Sequence, residues 1–138
     1  MSLAAAAICL MLGAKTVALP TDHLTLAWHH SVEKSGWEED YLLRGGRLVL
    51  KEARIEGTGA GMEPPPDAVL RGGWWHYVPR LPPLPEVRLT LSPYTADYRL
   101  CWSGHCRALG QILGATGETA VVTLRACSGH EADRHRAP

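Results

Sequence analysis

The residues with the clearest chemical potential lie in one stretch of the sequence, Leu26 to Leu43, with the sequence LAWHHSVEKSGWEEDYLL. This stretch contains two adjacent histidines and four carboxylates beside two tryptophans. An imidazole next to a carboxylate is able to ligate a metal, act as a general base or form a pH-sensitive structural bond. The same pair is equally consistent with a buried histidine that a carboxylate satisfies, because a buried polar group needs a partner.

Alternation along two short segments predicts which of these side chains share a face. In HLTLAWHHSV, His30 lies on the same strand face as Leu26 and Trp28. After the SG turn signal, WEEDYLL forms a second strand in which Glu39 and Tyr41 point the same way. If the two segments pair as a hairpin, His30 and Glu39 approach each other, whereas the neighbouring carboxylates face the opposite side and are expected to be solvated.

The rest of the chain also alternates in short segments. RLVLKEARIEG, VRLTLS and ETAVVTLRA have the pattern of strands, and GTGAGMEPPPD has too many glycines and prolines for any regular element. The GTGAGM segment is not followed by a helix, which excludes a dinucleotide-binding loop. The pattern predicts an all-β fold: a single small β-sandwich or barrel-like domain of about seven or eight short antiparallel strands.

Composition and charge exclude some classes of protein. The 138 residues suit one domain, and fourteen basic residues balance fourteen acidic ones. No basic stripe is present to offset phosphate charge, so we expect no nucleic-acid partner. The chain has no G-x-S-x-G, P-loop or H-E-x-x-H motif, and no cofactor or catalytic residue is predicted. The aromatic residues of the segment GGWWHY either form an exposed patch that binds a partner or pack in the core.

The N-terminus carries an uninterrupted apolar run, LAAAAICLMLGA. Its length is typical of the apolar region of a signal peptide, and it is short of the roughly 20 residues of a membrane span. Residues 1–18 are therefore predicted to be a signal peptide or N-terminal anchor. Residues 19–127 are predicted to form the β domain, outside the cytoplasm, and the polar residues 128–138 a disordered tail.

The cysteines give the most specific structural prediction. Cys101 and Cys106 flank WSGH, a four-residue hairpin loop, and therefore face each other across two strands. In an oxidising compartment such a pair is expected to form a disulfide. Free thiols and a zinc site remain alternatives, although a second well-spaced pair of ligands is missing. Cys127 is expected to be a free, inert thiol near the chain end.

Four segments, in this order, resemble the bacterial family called Domain of Unknown Function 1850. They are HSVEKSGWEEDY, GTGAGMEPPPDAVL, GGWWHY and LCWSGHCRAL, and the resemblance covers about Leu24 to Leu109. Carried over by position, the family's pattern falls on His30, Ser31, Val32 and Glu39, then on Gly59, Ala60 and Gly61. These two sets of residues, without Val32, are the predicted binding site.

The resemblance implies an accessory role in solute uptake. Members of the family are small proteins with an N-terminal hydrophobic segment, associated with TAXI-type tripartite ATP-independent periplasmic (TRAP) transporters. Partners implied are the transporter subunits or their solute-binding protein, and the implied location is periplasmic, secreted or anchored at the outer face of the inner membrane. The leading hypothesis is a non-enzymatic binding or adaptor domain. A metal-dependent hydrolase using His30 and Glu39, and a purely structural exported protein, are the alternatives.

Overall fold

The computed structural model describes residues 7–29, 35–57, 64–114 and 118–127. Its elements are β1 (Ala7–Leu12), β2 (Lys15–Leu19), β3 (His23–His29), β4 (Gly36–Arg44), β5 (Arg47–Glu56), β6 (Val69–Arg71), β7 (Trp74–Tyr77), β8 (Val87–Leu91), β9 (Arg99–Trp102), β10 (His105–Ala108), α1 (Leu109–Leu113) and β11 (Ala120–Cys127). The strands form two antiparallel sheets, one in the order β2-β1-β11-β8 and the other in the order β10-β9-β3-β4-β5-β7-β6. The predicted all-β fold class is confirmed, with more strands than the predicted seven or eight.

Both sheets contribute side chains to one apolar core. Leu10 and Leu124 come from the four-stranded sheet, and Leu26, Leu48 and Leu100 come from the seven-stranded sheet. Each of these five leucines is at most 1% exposed. Burial of a leucine contributes about 1.5–3 kcal/mol, so this shared core is the main source of stability.

The apolar N-terminal run is part of this core. It forms β1, which lies between β2 and β11, and Gly13 with a φ of 57° turns the chain into β2. The β domain therefore extends back to Ala7 rather than starting at residue 19. A signal segment and a fully buried strand have the same apolar composition, and periodicity does not separate them. Processing of residues 1–18 stays a prediction; no helix in the described ranges is long and apolar enough to cross a membrane.

Both disulfides join neighbouring strands. Cys101 on β9 is bonded to Cys106 on β10, as the hairpin spacing predicts. The prediction that Cys127 is a free thiol is wrong, because Cys127 is bonded to Cys9, 118 positions earlier in the chain. A signal segment at residues 1–18 places Cys9 outside the domain, and on that prediction Cys127 has no partner. All four cysteines of the chain are thus paired.

The register of the β3–β4 hairpin confirms the predicted faces. Leu26 lies opposite Glu39, which places Glu39 on the inner face of the seven-stranded sheet. Glu38 and Asp40 therefore point to the outer face. A register shift between Asp40 and Tyr41 interrupts the pairing of β4 with β5. The predicted tail, residues 128–138, lies outside the described residues.

Candidate functional site

The structure describes one residue of the predicted binding site, Glu39. The others fall within residues 30–34 and 58–63, outside the described residues: His30, Ser31, Gly59, Ala60 and Gly61. The predicted approach of His30 to Glu39, and of the glycine-rich loop to both, stays a prediction. The candidate site is therefore built from Glu39 and the described side chains around it.

Glu39 is a carboxylate on the core side of the sheet. Its neighbours across the strands are Leu26 on β3 and Ala53 on β5, which are 1% and 2% exposed. The alternation of β4 requires an inward side chain at this position, where an apolar residue is usual. The side chain of Glu39 is half-buried, so its carboxylate lies at the rim of the core.

Tyr41 forms the one described hydrogen bond of this carboxylate. Its hydroxyl donates to Glu39 Oε1 over 2.9 Å. Burial raises the pKa of Glu39, and the bond from Tyr41 offsets that rise in part. Burial and the nearby carboxylate also raise the pKa of the Tyr41 hydroxyl. Among the described residues, no Lys, Arg or His forms an ion pair with Glu39.

Further aromatic side chains lie on the strands around this carboxylate. Tyr77 on β7 lies opposite Ala53, in the same cross-strand row as Glu39. Tyr98 packs edge-on against Trp28 with ring centroids 5.7 Å apart, and Trp28 stacks on Trp37 at 5.9 Å. Burial, followed by the charge of Glu39, raises the pKa of Tyr77 and of Tyr98. The Glu39 cluster is defined here as these six residues: Glu39, Tyr41, Tyr77, Tyr98, Trp28 and Trp37.

The Glu39 cluster is open to solvent on one side. Tyr41 is 4% exposed, but the other five members are half-buried although they lie on or beside the inner face. Leu24 and Leu26 on the same face are fully buried. These five side chains are thus only partly buried, and tyrosine and tryptophan suit such a boundary because each combines an apolar ring with a polar group.

A second polar cluster lies on the outer face of the same sheet. Arg54 donates to Glu38 at 2.8 Å, to Asp40 at 2.6 and 2.7 Å and to Glu52 at 2.9 Å. Nδ1 of His76 is 2.8 Å from Glu52. Burial alone raises the pKa of Asp40, but the hydrogen bonds from Arg54 and Thr25 and the charge of Arg54 lower it overall. Glu38 and Asp40 lie on the outer face as predicted, with their side chains 33% and 35% exposed, and both also form ion pairs with Arg54.

Alternation within a single hairpin does not predict this outer network, because its members come from the three neighbouring strands β4, β5 and β7. Arg54 lies opposite Glu38, and His76 lies opposite Arg54 on the next strand. The available signal was the alternation of KEARIE, which puts Glu52 and Arg54 on one face of β5. The carboxylates here already have charged partners, and this is typical of a structural network.

A groove of about 610 Å³ lies beside this network, next to the β9–β10 hairpin. Its walls include His23, Asp40, Lys51 and Glu52. Two of these, Asp40 and Glu52, already bond to Arg54. Within the described part of the chain, no group of three or more His, Cys, Asp or Glu side chains is arranged to hold a metal ion.

Comparison with known proteins gives one family. The family described as Domain of unknown function (DUF1850) matches residues 24–109. The chain belongs to this family. The matched residues run from β3 to β10 and contain every member of the Glu39 cluster, whereas β1, β2 and β11 lie outside the match. No curated protein and no solved structure matched the chain.

The position of Glu39 predicts a pH-dependent gain in stability on substitution. We expect Glu39→Gln to raise the free energy of unfolding at pH 7 by about 1 kcal/mol, because a neutral amide avoids the desolvation of a carboxylate. A raised pKa means that the folded state favours the protonated carboxyl group. The protonated carboxyl group therefore stabilises the fold fully at a pH below the ordinary pKa of glutamate. This stabilisation is lost as the pH rises through the raised pKa of the folded state.

Urea denaturation of wild type and Glu39→Gln at pH 7 and pH 4 measures this difference. The higher free energy of unfolding of Glu39→Gln relative to wild type should be present at pH 7. The difference should shrink at pH 4, because the wild-type carboxyl group is then protonated. Glu38→Gln is the matched control on the opposite face, and it should show no gain at pH 7 because it loses the negative charge that faces the Arg54 guanidinium. A Glu39→Gln variant less stable than wild type at pH 7 would contradict the assignment of Glu39 as a destabilising carboxylate.

Proposed function

We propose that this DUF1850 protein is a non-enzymatic accessory component of solute uptake by TAXI-type TRAP transporters, and that the Glu39 cluster is its binding site. One observation carries the choice of site. Glu39 is a half-buried carboxylate on the inner face of the sheet, and it has no cationic partner among the described residues. The transporter partner is inferred from the family resemblance, and the site from the geometry.

The energetics of Glu39 support a functional role. An apolar residue or a glutamine at this position would fold with less desolvation. Natural proteins break such local packing rules chiefly where a functional or strained site requires it. The outer network around Arg54 is the contrasting case in the same sheet, because each of its three carboxylates forms an ion pair with Arg54.

The disulfides support an extracytoplasmic location. Two disulfides in a chain of this size suggest an oxidising compartment, since cytosolic thiols are kept reduced. The proposal places the domain more narrowly in the periplasm or at the outer face of the inner membrane. That is the compartment in which the solute-binding protein of such a transporter works.

One chemical alternative has a specific observation in its favour. The raised pKa of Glu39 is also what a general acid or base requires, so a metal-dependent hydrolase remains the second candidate. Elemental analysis of the purified protein separates the two. Stoichiometric zinc or manganese that is lost in Glu39→Gln would favour the hydrolase over the accessory role.

The proposed function is tested by affinity purification from the native membrane fraction. Tagged wild type, Glu39→Gln and the control Glu38→Gln are compared at equal protein levels. We expect transporter subunits or the solute-binding protein with wild type and Glu38→Gln, and their loss with Glu39→Gln. Recovery of neither partner with wild type, or equal recovery with all three proteins, would overturn the proposal.

A further inference from the structure

The two disulfides of the chain differ in their exposure to solvent. Cys106 is exposed and Cys101 is half-buried, whereas Cys9 and Cys127 are 0% and 9% exposed. A thiolate attacks a disulfide sulfur directly, so access to the sulfur controls the rate of thiol–disulfide exchange. The bond between Cys101 and Cys106 is therefore open to an external thiol, and the bond between Cys9 and Cys127 is shielded.

The exposed disulfide lies on the outer face of the seven-stranded sheet, in the wall of the groove of about 610 Å³. Thr25 is paired with Asp40 on one side and with Cys101 on the other, and directly opposite residues share a face. Cys101 and Cys106 both line the groove. Pockets of about 300–1,000 Å³ are large enough for small-molecule ligands, so a thiol reagent has room to reach the sulfurs.

The strands on either side of this disulfide are anchored independently of it. β9 lies between β3 and β10, and Leu100 and Trp102 on β9 are 0% and 6% exposed. β10 leads directly into α1, where Leu109 is 0% exposed and its backbone N–H donates to the Tyr98 carbonyl over 2.9 Å. Opening the disulfide therefore leaves both strands in place, so the reduced domain stays folded and the two thiols stay close enough to bond again.

We propose that Cys101 and Cys106 form a reversible redox pair that exchanges with an external dithiol through this groove. One thiolate of the dithiol attacks Cys106 Sγ, the bond between the protein sulfurs breaks, and Cys101 Sγ leaves as a thiolate that takes a proton from solvent. The second thiol of the dithiol loses its proton and attacks its own partner sulfur in the mixed disulfide, which releases Cys106 as a thiolate. The protein disulfide gains two electrons and the dithiol is oxidised to a disulfide. This activity goes beyond the proposed function, because it uses the opposite face of the sheet from Glu39.

Differential reduction of the purified full-length protein tests the proposal. The native protein is treated with dithiothreitol, free thiols are trapped with iodoacetamide at intervals, and peptide mass spectrometry follows each disulfide separately. We expect the bond between Cys101 and Cys106 to open at least about 100-fold faster than the bond between Cys9 and Cys127, which reacts only after β1 and β11 separate. In concentrated urea the two rates should become similar, since the unfolded chain exposes both bonds.

A variant that narrows the groove tests the route of access. Thr25 is the cross-strand neighbour of Cys101, so Thr25→Trp places a large ring beside the disulfide. It should slow the opening of this bond about threefold or more, because it shields the sulfurs from the attacking thiolate. Thr25→Val is the matched control: it also loses the hydrogen bond to Asp40, but it adds no bulk and should react as wild type does.

Reversibility is measured on the selectively reduced protein. Its near-UV circular dichroism should keep the signal of a folded domain, and oxidised dithiothreitol should restore the bond between Cys101 and Cys106. Three results would overturn the inference: equal rates for the two bonds in the native protein, unfolding on selective reduction, or a Thr25→Trp variant that reacts as fast as wild type. None of these measurements involves Glu39 or a transporter, so their outcome is independent of the proposed function.

Discussion

The double variant Cys9→Ala/Cys127→Ala should lose about 4 kcal/mol of the free energy of unfolding under oxidising conditions. The bond joins β1 to β11 across 118 positions of sequence, so it removes a large amount of loop entropy from the unfolded chain. Both cysteines are buried in a small cluster with Ala7 and Ala18. Alanine retains the apolar character of the cluster, so the loss reports mainly on the covalent link.

Urea denaturation measures this loss, and the second disulfide gives the matched control. Cys101→Ala/Cys106→Ala opens a bridge between positions only 5 apart, and its expected loss is smaller, about 2 kcal/mol. Peptide mapping without reductant, on protein recovered from cells, should show a Cys9 peptide linked to a Cys127 peptide. A recovered chain that lacks Cys9, or a long-range variant as stable as wild type, would contradict the role assigned to β1.

Much of the larger sheet was predictable because its signals are local. The alternation around Leu26 and Glu39 predicts their shared face, and the pairing of β3 with β4 confirms it. The four residues between Cys101 and Cys106 predict a hairpin and its disulfide, and both are present. In each case a few adjacent residues determine strand direction and turn, so no knowledge of distant segments is needed.

The smaller sheet was not predictable, because its pairing depends on segments at opposite ends of the chain. Cys9 and Cys127 come together through the pairing of β1 with β11. An apolar run at an N-terminus has the same composition whether it directs export or fills a core, so hydropathy alone did not identify β1 as a strand. The free-thiol prediction for Cys127 failed for this reason.

The environment of Glu39 was only partly predictable. Its inward direction follows from alternation in β4, and Tyr41 is two residues away on the same face. Tyr77 lies on β7 and Tyr98 in the segment before β9, and no local pattern predicts that the charge of Glu39 reaches both hydroxyl groups. The residues of the predicted site outside the described part of the chain, His30 among them, stay predictions.

The largest functional effect is expected from Glu39→Gln in living cells. The substitution removes the charge that defines the proposed site while keeping the size of the side chain and a bond partner for Tyr41. The folded domain should therefore persist, with a stability at pH 7 equal to or above that of wild type. Uptake of the solute should nevertheless fall close to the level of a deletion strain, because the account places binding at this carboxylate.

The most direct test is uptake of the radiolabelled solute of the co-purifying transporter, measured in strains carrying wild type, Glu39→Gln or Glu38→Gln at equal protein levels. We expect normal uptake with wild type and Glu38→Gln, and uptake near the deletion level with Glu39→Gln. Normal uptake with Glu39→Gln would contradict it, and the Glu39 cluster would then be a packing feature of the sheet.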